Sequence, residues 1–561
     1  MFHREGVLVR TFIVVVLSTL GGLVLLIGGA IAALVGPDDT ASLPAGKIPA
    51  TSGVAITSFD LFPVRDLTLH ATATSQGGPV FLGAAHPVDA RDYVTGVNAS
   101  WVTGVDRSGT LATDPIDGEL DAPEVDPTTT TFWSGSASGD GAQSLDVTLT
   151  GEPVTFVVVP LGGPAATTLA FGAVVPGLFV LALGVAGAGA VLVAAAALVR
   201  RRGRRRTEPT PDPADADTEP ETFTAPEPEP AEAAPRTLRR RALVLGAGLT
   251  VTLTACVPVP SAVEPPEQPV RIAADADELD AALASYSERE SAASQVAAQL
   301  DPGAWADPDT DGRRALMEYR TKLDAARDQP PAPYTVTYSG LDAAVPQFTS
   351  YPMWFMALVE STTDGTPAEL PQLRVFERER AAAPWRSSFA LDVPVDAVQL
   401  PAPGSASVAS PDQVAAGLAA VELVRSHLET GAEVAVDLGE LGTFREKVLG
   451  NDLEGRLRVT NAQVTHFDGP EDPTAPGGPL QVVPVDGGLL VTSALSYTFN
   501  REMETGWSVN LTDVAVAEVT GQPGERQNLR TLGLVQTVLL VPDGAAPRVL
   551  SAGWSLLAPR V

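Results

Sequence analysis

The sequence predicts a multi-domain membrane protein: transmembrane helices, an all-β sandwich ectodomain and an α+β ectodomain. Three observations predict it. Two uncharged apolar runs, Phe12 to Val35 and Leu169 to Val199, hold 24 and 31 residues. Each exceeds the about 20 residues that a helix needs to cross the hydrocarbon of a bilayer. The tract between them reads as short strands, and the tract after residue 260 alternates helical stretches with strands.

Totals narrow the possibilities. A chain of 561 residues exceeds what one core can organise. Its formal charge is −31 and its only lysines are Lys47, Lys322 and Lys447. That balance argues against a nucleic-acid partner, which needs clustered cations facing phosphates. The one cysteine, Cys256, excludes an internal disulfide and a Cys-rich zinc site.

Residues 1–11 form a short cytoplasmic N-terminus and 12–35 the first transmembrane helix. Arg4 and Arg10 precede that helix, while Asp38 and Asp39 follow it. The second helix, 169–199, is interrupted only by Pro176 and ends in Arg200, Arg201, Arg202, Arg204, Arg205 and Arg206. Arginines beside spans stay on the cytoplasmic side. Residues 36–168 are therefore expected outside, 200–241 inside, and the chain after about 260 outside again. Gly21, Gly22, Gly28 and Gly29 in the first helix, and Gly184, Gly187 and Gly189 in the second, would permit close helix contact, although glycine is also common throughout this composition.

Between the arginine clusters, Thr207 to Pro235 carries nine acidic residues and eight prolines. Such a stretch cannot bury apolar surface and reads as a disordered linker. A third apolar run, 242–259, follows Arg239-Arg240-Arg241 and contains Leu253-Thr254-Ala255-Cys256. Arginines, a short apolar stretch and small residues before a cysteine resemble a lipoprotein signal. Two readings stand side by side. The run is a third transmembrane helix, or Cys256 is acylated and the chain is cut before it.

Within 36–168, Leu67, Leu69 and Ala71 alternate with polar residues, as do Leu145, Val147 and Leu149, so each strand buries one face. Gly, Pro, Asp and Ser clusters punctuate the strands, which suggests a small antiparallel β-sandwich. The stretches Gly78-Pro79-Val80-Phe81-Leu82-Gly83, Val88 to Val94 and Phe132 to Gly139 resemble uncharacterised actinobacterial two-helix membrane proteins, over about residues 1–205. That resemblance implies a place and an architecture and no activity.

Beyond 260, helices at Ala273 to Leu300 and Gly312 to Arg327 precede strands, and the order repeats after a helix at Gln413 to Leu428. Two tandem α+β units, 260–400 and 401–561, follow from this, similar in pattern to cystatin or NTF2-like folds. Tyr351 to Val359, Leu373 to Phe376 and Ala383-Pro384-Trp385-Arg386 resemble a domain of uncharacterised actinobacterial lipoproteins, over about 240–561. The whole reads as a membrane protein fused to a lipoprotein.

Candidate chemistry is sparse. Asp307, Asp309, Asp311 and Glu318, with Gly312, match the spacing of a calcium loop, but Arg314 stands where an apolar residue is usual and no second loop lies nearby. The plainer reading makes Asp309 or Asp311 the cap of a helix beginning near Arg313. His466 near Asp468 and Glu471, and His427 near Glu429, read as solvated pairs. Arg374, Glu377, Arg378, Glu379 and Arg380 read as a wet sheet edge, and Trp354, Trp385, Trp507 and Trp554 as core or the mouth of a pocket. No phosphate loop, nucleophile elbow, zincin or dinucleotide motif is present. The expectation is a cell-envelope protein with no cofactor, calcium aside, whose partners are the lipid bilayer and an envelope protein or ligand. It leans towards a non-enzymatic binding or scaffolding role. The alternative is an envelope enzyme or chaperone using an NTF2-like cavity.

Overall fold

The structure is a computed structural model that describes residues 3–49, 53–106, 108–204, 261–394, 397–401, 408–449, 455–469, 472–475 and 477–559. Leu253, Thr254, Ala255 and Cys256, the run 242–259 and the linker 207–235 lie outside the described residues.

Three helices belong to the N-terminal half: α1 (His3–Val35), the short α2 (Pro87–Tyr93) and α3 (Leu178–Arg204). Thr11–Val35 and Leu178–Arg202 are long and apolar enough to cross a membrane, and 11% of the most apolar stretch of each is buried. A core helix of a soluble protein would be mostly covered. The two helices pack on each other through glycine. A Cβ on Gly21 would lie 2.8 Å from Leu192 Cβ, and one on Gly28 would lie 2.7 Å from the Ala182 carbonyl, whereas Gly22, Gly29, Gly184 and Gly187 face open space. The seam follows one face of α1, where backbones approach because no side chain separates them.

The second apolar run is not one helix. Leu169 to Val174 belong to the strand Thr167–Val174, and α3 starts only at Leu178. A strand covered on both faces is as uniformly apolar as a span. Pro176 and Gly177, at φ +80°, separate the two. Asp39, just past α1, accepts hydrogen bonds from the Gly177 and Phe179 amides at 2.7 Å each, so its carboxylate caps α3. Those amides hold its pKa below the usual carboxylate range.

The chain divides into two compact units. The first gathers Met1–Ala84, Val97–Ala122 and Gly135–Pro265. It contains a five-stranded sheet, ordered Thr40–Ser42, Thr167–Val174, Leu67–Ser75, Gln143–Leu149, with Gly46–Ile48 beside the second of these. A six-stranded sheet runs Leu111–Ile116, Ala99–Val105, Val54–Thr57, Thr155–Pro160, Val80–Ala85, Gly135–Gly139. Contrary to the all-antiparallel expectation, Val54–Thr57 and Ala99–Val105 pair in parallel, the chain crossing between them through Leu67–Ser75, Val80–Ala85 and α2. One apolar core draws on both sheets, with Leu69, Ala71, Leu169 and Phe171 from the first and Val80, Leu82, Phe156 and Val158 from the second.

The second unit gathers Ala85–Gly96, Pro123–Ser134 and Pro266–Val561. Helices α4 (Ala276–Ala297) and α5 (Asp311–Arg327) precede a meander of Val336–Ala344, Met353–Thr363, Gln372–Arg378 and Arg386–Asp392. Helix α6 (Pro411–Thr430), started by a Ser410/Gln413 capping box, and the short α7 (Phe444–Leu449) precede a second meander. Its strands are Leu457–His466, Gly488–Met503, Asn528–Pro542 and Arg548–Leu556, with Leu480–Val485 beside Gly488–Met503. The strand plan therefore repeats. The repeats do not stand apart, since Leu373, Val375 and Phe389 share a core with Val483, Leu490 and Val538.

Candidate functional site

Helix α4 sets the polar interior of the second unit. Leu279, Leu283 and Tyr286 face the first sheet, Ala293 packs with Trp305 and Met317, and Glu290 lies on that same apolar stripe, 3% exposed. A buried carboxylate needs charge and hydrogen-bond partners. Tyr338 and Tyr334 donate to it at 2.8 and 3.2 Å, and Arg313 and Arg374 approach to 3.5 and 3.6 Å. Arg374 also donates to the Tyr286 hydroxyl at 2.7 Å. Tyr286 in turn donates to Asp309 at 2.8 Å. Burial opposes the Glu290 charge, yet Arg374 and Arg313 outweigh it and hold this carboxyl below its ordinary pKa. For Asp309 burial prevails over Arg313, with help from Glu290, and its pKa rises to about 6.

This network corrects the reading of Arg374, Glu377 and Arg378 as a wet edge, while Glu379 and Arg380 are exposed as expected. Arg374, Glu377 and Arg378 are buried, on a strand hydrogen-bonded to neighbours on both sides. Arg374 and Arg378 answer the acids of α4, with Arg374 approaching Glu290 at 3.6 Å and Arg378 reaching Glu278 at 3.0 Å. Glu278 and Glu290 amid the apolar positions of α4 were the signal in the sequence: charge on a core stripe requires an opposite charge across from it.

Asp309 does not cap α5 as the sequence suggested. The cap position is Thr310, without a side-chain cap bond, because Asp309 is turned into the Tyr286 and Arg313 network. Of the remaining calcium-pattern residues, Glu318 pairs with Arg314 at 2.6 Å, and the Asp307 carbonyl accepts from Arg289 at 2.9 Å. Among the described residues no three His, Cys, Asp or Glu side chains converge to hold a metal ion. His466 pairs with Glu422 at 3.0 Å and His427 with the Ala432 carbonyl at 2.8 Å. Trp354, Trp385 and Trp554 pack in cores, and Trp507 is exposed.

Two acids do open onto solvent space. Glu377 and Asp311 face each other on a cavity of about 220 Å³ that Glu379 and Arg386 also line. Burial first, and then the Asp311 charge, push the Glu377 pKa to about 8. A carboxyl held protonated near neutrality inside a cleft can donate or accept a proton.

A second polar cluster joins sequence-distant segments. Buried Asp89, on α2, accepts from the Tyr351 hydroxyl at 2.7 Å and lies 3.0 Å from Arg271, which also binds Glu278 at 2.9 Å. Asp92 accepts from the Ala381 amide at 2.7 Å. Burial raises the Asp89 pKa against the pull of Arg271. No sequence signal marked α2 as part of this unit.

No protein-family model matches the chain, and no curated protein matches it.

Proposed function

We propose that this chain is a cell-envelope membrane protein whose folded parts face the extracytoplasmic side and serve as a binding or scaffolding module. Two packed, membrane-length helices and their flanking arginines support a multi-pass anchor. The two sheets with a common core belong, in this reading, to the β-sandwich class, and the two meanders to the NTF2-like or cystatin class. The whole is a membrane protein fused to a lipoprotein of actinobacterial type. Calcium has a place in it only if Asp309 leaves Arg313 and Glu318 leaves Arg314.

One observation carries the scaffolding role: the halves of the chain exchange segments. Ser261–Ala262, five residues past Cys256, pair with Val64–Arg65 in the first unit, while 85–96 and 123–134 are built into the second. Cleavage before Cys256, if the cysteine is acylated, would therefore leave two polypeptides that still hold each other. Protease added to intact spheroplasts should trim the regions around Asp121 and Asp472 and spare the 207–235 linker. Protection of those regions, or attack on the linker, would overturn the topology.

The second reading, an envelope enzyme or chaperone, rests on Glu377 and its cavity. It predicts loss of any turnover in Glu377→Gln with the fold retained.

A further inference from the structure

In an acidic protein a buried guanidinium normally answers a carboxylate, and Arg271, Arg313, Arg374 and Arg378 each do so. Arg501 does not. From the strand Gly488–Met503, its Nη1 donates to the Leu449 carbonyl at 2.6 Å and its Nη2 to the Thr531 hydroxyl at 2.9 Å, while its buried Nε has no acceptor among the described residues. Holding the end of α7 explains one of these donors and leaves the charge uncompensated. Burial accordingly lowers its pKa.

Arg501 lines a cavity of about 480 Å³ together with Arg526 and Arg530, and among the described residues no Asp or Glu lines it. Among the described residues Arg526 donates only to the backbone carbonyls of Pro523 and Gly521, at 3.3 and 3.1 Å. The Arg530 side chain has no hydrogen bond or ion pair among the described residues. Its backbone is fixed on both sides by buried Gln522, whose amide accepts from the Arg530 N–H and donates to its carbonyl, each at 2.6 Å. Three guanidiniums with no acidic partner among the described residues, one of them partly desolvated and one on a clamped strand, form a preorganised set of donors for a multiply charged oxyanion. In a chain of charge −31 such a site is selective by contrast with its surroundings.

We propose that this cavity binds a phosphate group, with the rest of the ligand lying in the adjoining cleft of about 840 Å³ that shares Arg530, Leu532 and Leu557. The inference gives the binding role proposed above a ligand class and rests on it. Its test uses purified chain, so a wrong membrane topology leaves the result interpretable. The phosphate can come from a soluble ester or from a lipid headgroup.

The full chain in neutral detergent is titrated calorimetrically with glycerol phosphate. In a second arm it is placed in phosphatidylcholine nanodiscs with and without phosphatidylglycerol, and lipid retention is measured. Binding of glycerol phosphate with Kd between about 1 μM and 1 mM, weakened by salt, supports a soluble ester. Retention of phosphatidylglycerol alone supports a headgroup. In either arm Arg526→Gln and Arg530→Gln should each weaken binding about tenfold with an unchanged melting temperature, because neither caps a helix. No binding of either probe at about 10 mM, or binding unchanged in the Arg526→Gln/Arg530→Gln double variant, overturns the proposal.

Discussion

Glu377 carries the clearest consequence at the scale of single residues. Its folded pKa of about 8 stands above the ordinary value near 4.5, so between those limits the folded state holds a proton that the unfolded state has lost. Stability from this group is full at acid pH and lost as pH rises through the folded value. Glu377→Gln, which keeps the shape and cannot ionise, should raise the melting temperature at pH 8 and leave it unchanged at pH 4. A melting curve shifted equally at both pH values would refute the assignment. Residue types alone disclosed that Arg374, Glu377, Arg378, Glu379 and Arg380 are charged. They did not disclose burial, because a wet edge and a buried ion-pair ladder share the same alternation until the acids of α4 are placed opposite.

Among elements, the membrane-length helices were the most legible, since 24 uncharged residues admit few other fates. The boundary of the second was not. Leu169 to Val174 are as apolar as α3, and only pairing with the strands Leu67–Ser75 and Thr40–Ser42 makes them a strand. The seam between α1 and α3 is testable here. Gly28→Leu would drive a branched side chain into the backbone of Ala182 and Ala186 and should separate the pair. Gly29→Leu, facing open space, should not. Cross-linking between cysteines placed on the two helices reads the difference: equal yields in both variants would rule out the glycine seam. The repeated meanders of the second unit were visible as strand patterns, whereas the core they share was not, because period-two alternation reports that a face is buried and not what buries it.

Over the whole molecule, the exchange of segments controls how the chain behaves if it is processed. Asp89 is fully buried against Arg271 and Tyr351, and Asp89→Ala would leave the Tyr351 hydroxyl without its acceptor and Arg271 with Glu278 alone, at a cost of about 1–3 kcal/mol. A protease site placed within 207–235 and cut in mild detergent should leave the two fragments co-eluting. The Asp89→Ala chain, cut in the same way, should release a larger share of its C-terminal fragment. Wild-type fragments that part at once would show that the exchanged segments do not hold the halves together.

Composition and periodicity by themselves determined that two helices are apolar enough to cross a membrane, that strands dominate the remainder, and that the phosphate-loop, nucleophile-elbow, zincin and dinucleotide motifs do not occur. These follow from local chemistry, in which each residue's preference for water or hydrocarbon is read one neighbour at a time. Tertiary structure decided which charges are buried, where α3 begins, that α2 belongs with residues 266–561, and that three arginines face one cavity with no acid among its described lining residues. Those outcomes depend on contacts between segments tens to hundreds of residues apart. No local pattern encodes which partner a buried charge will find.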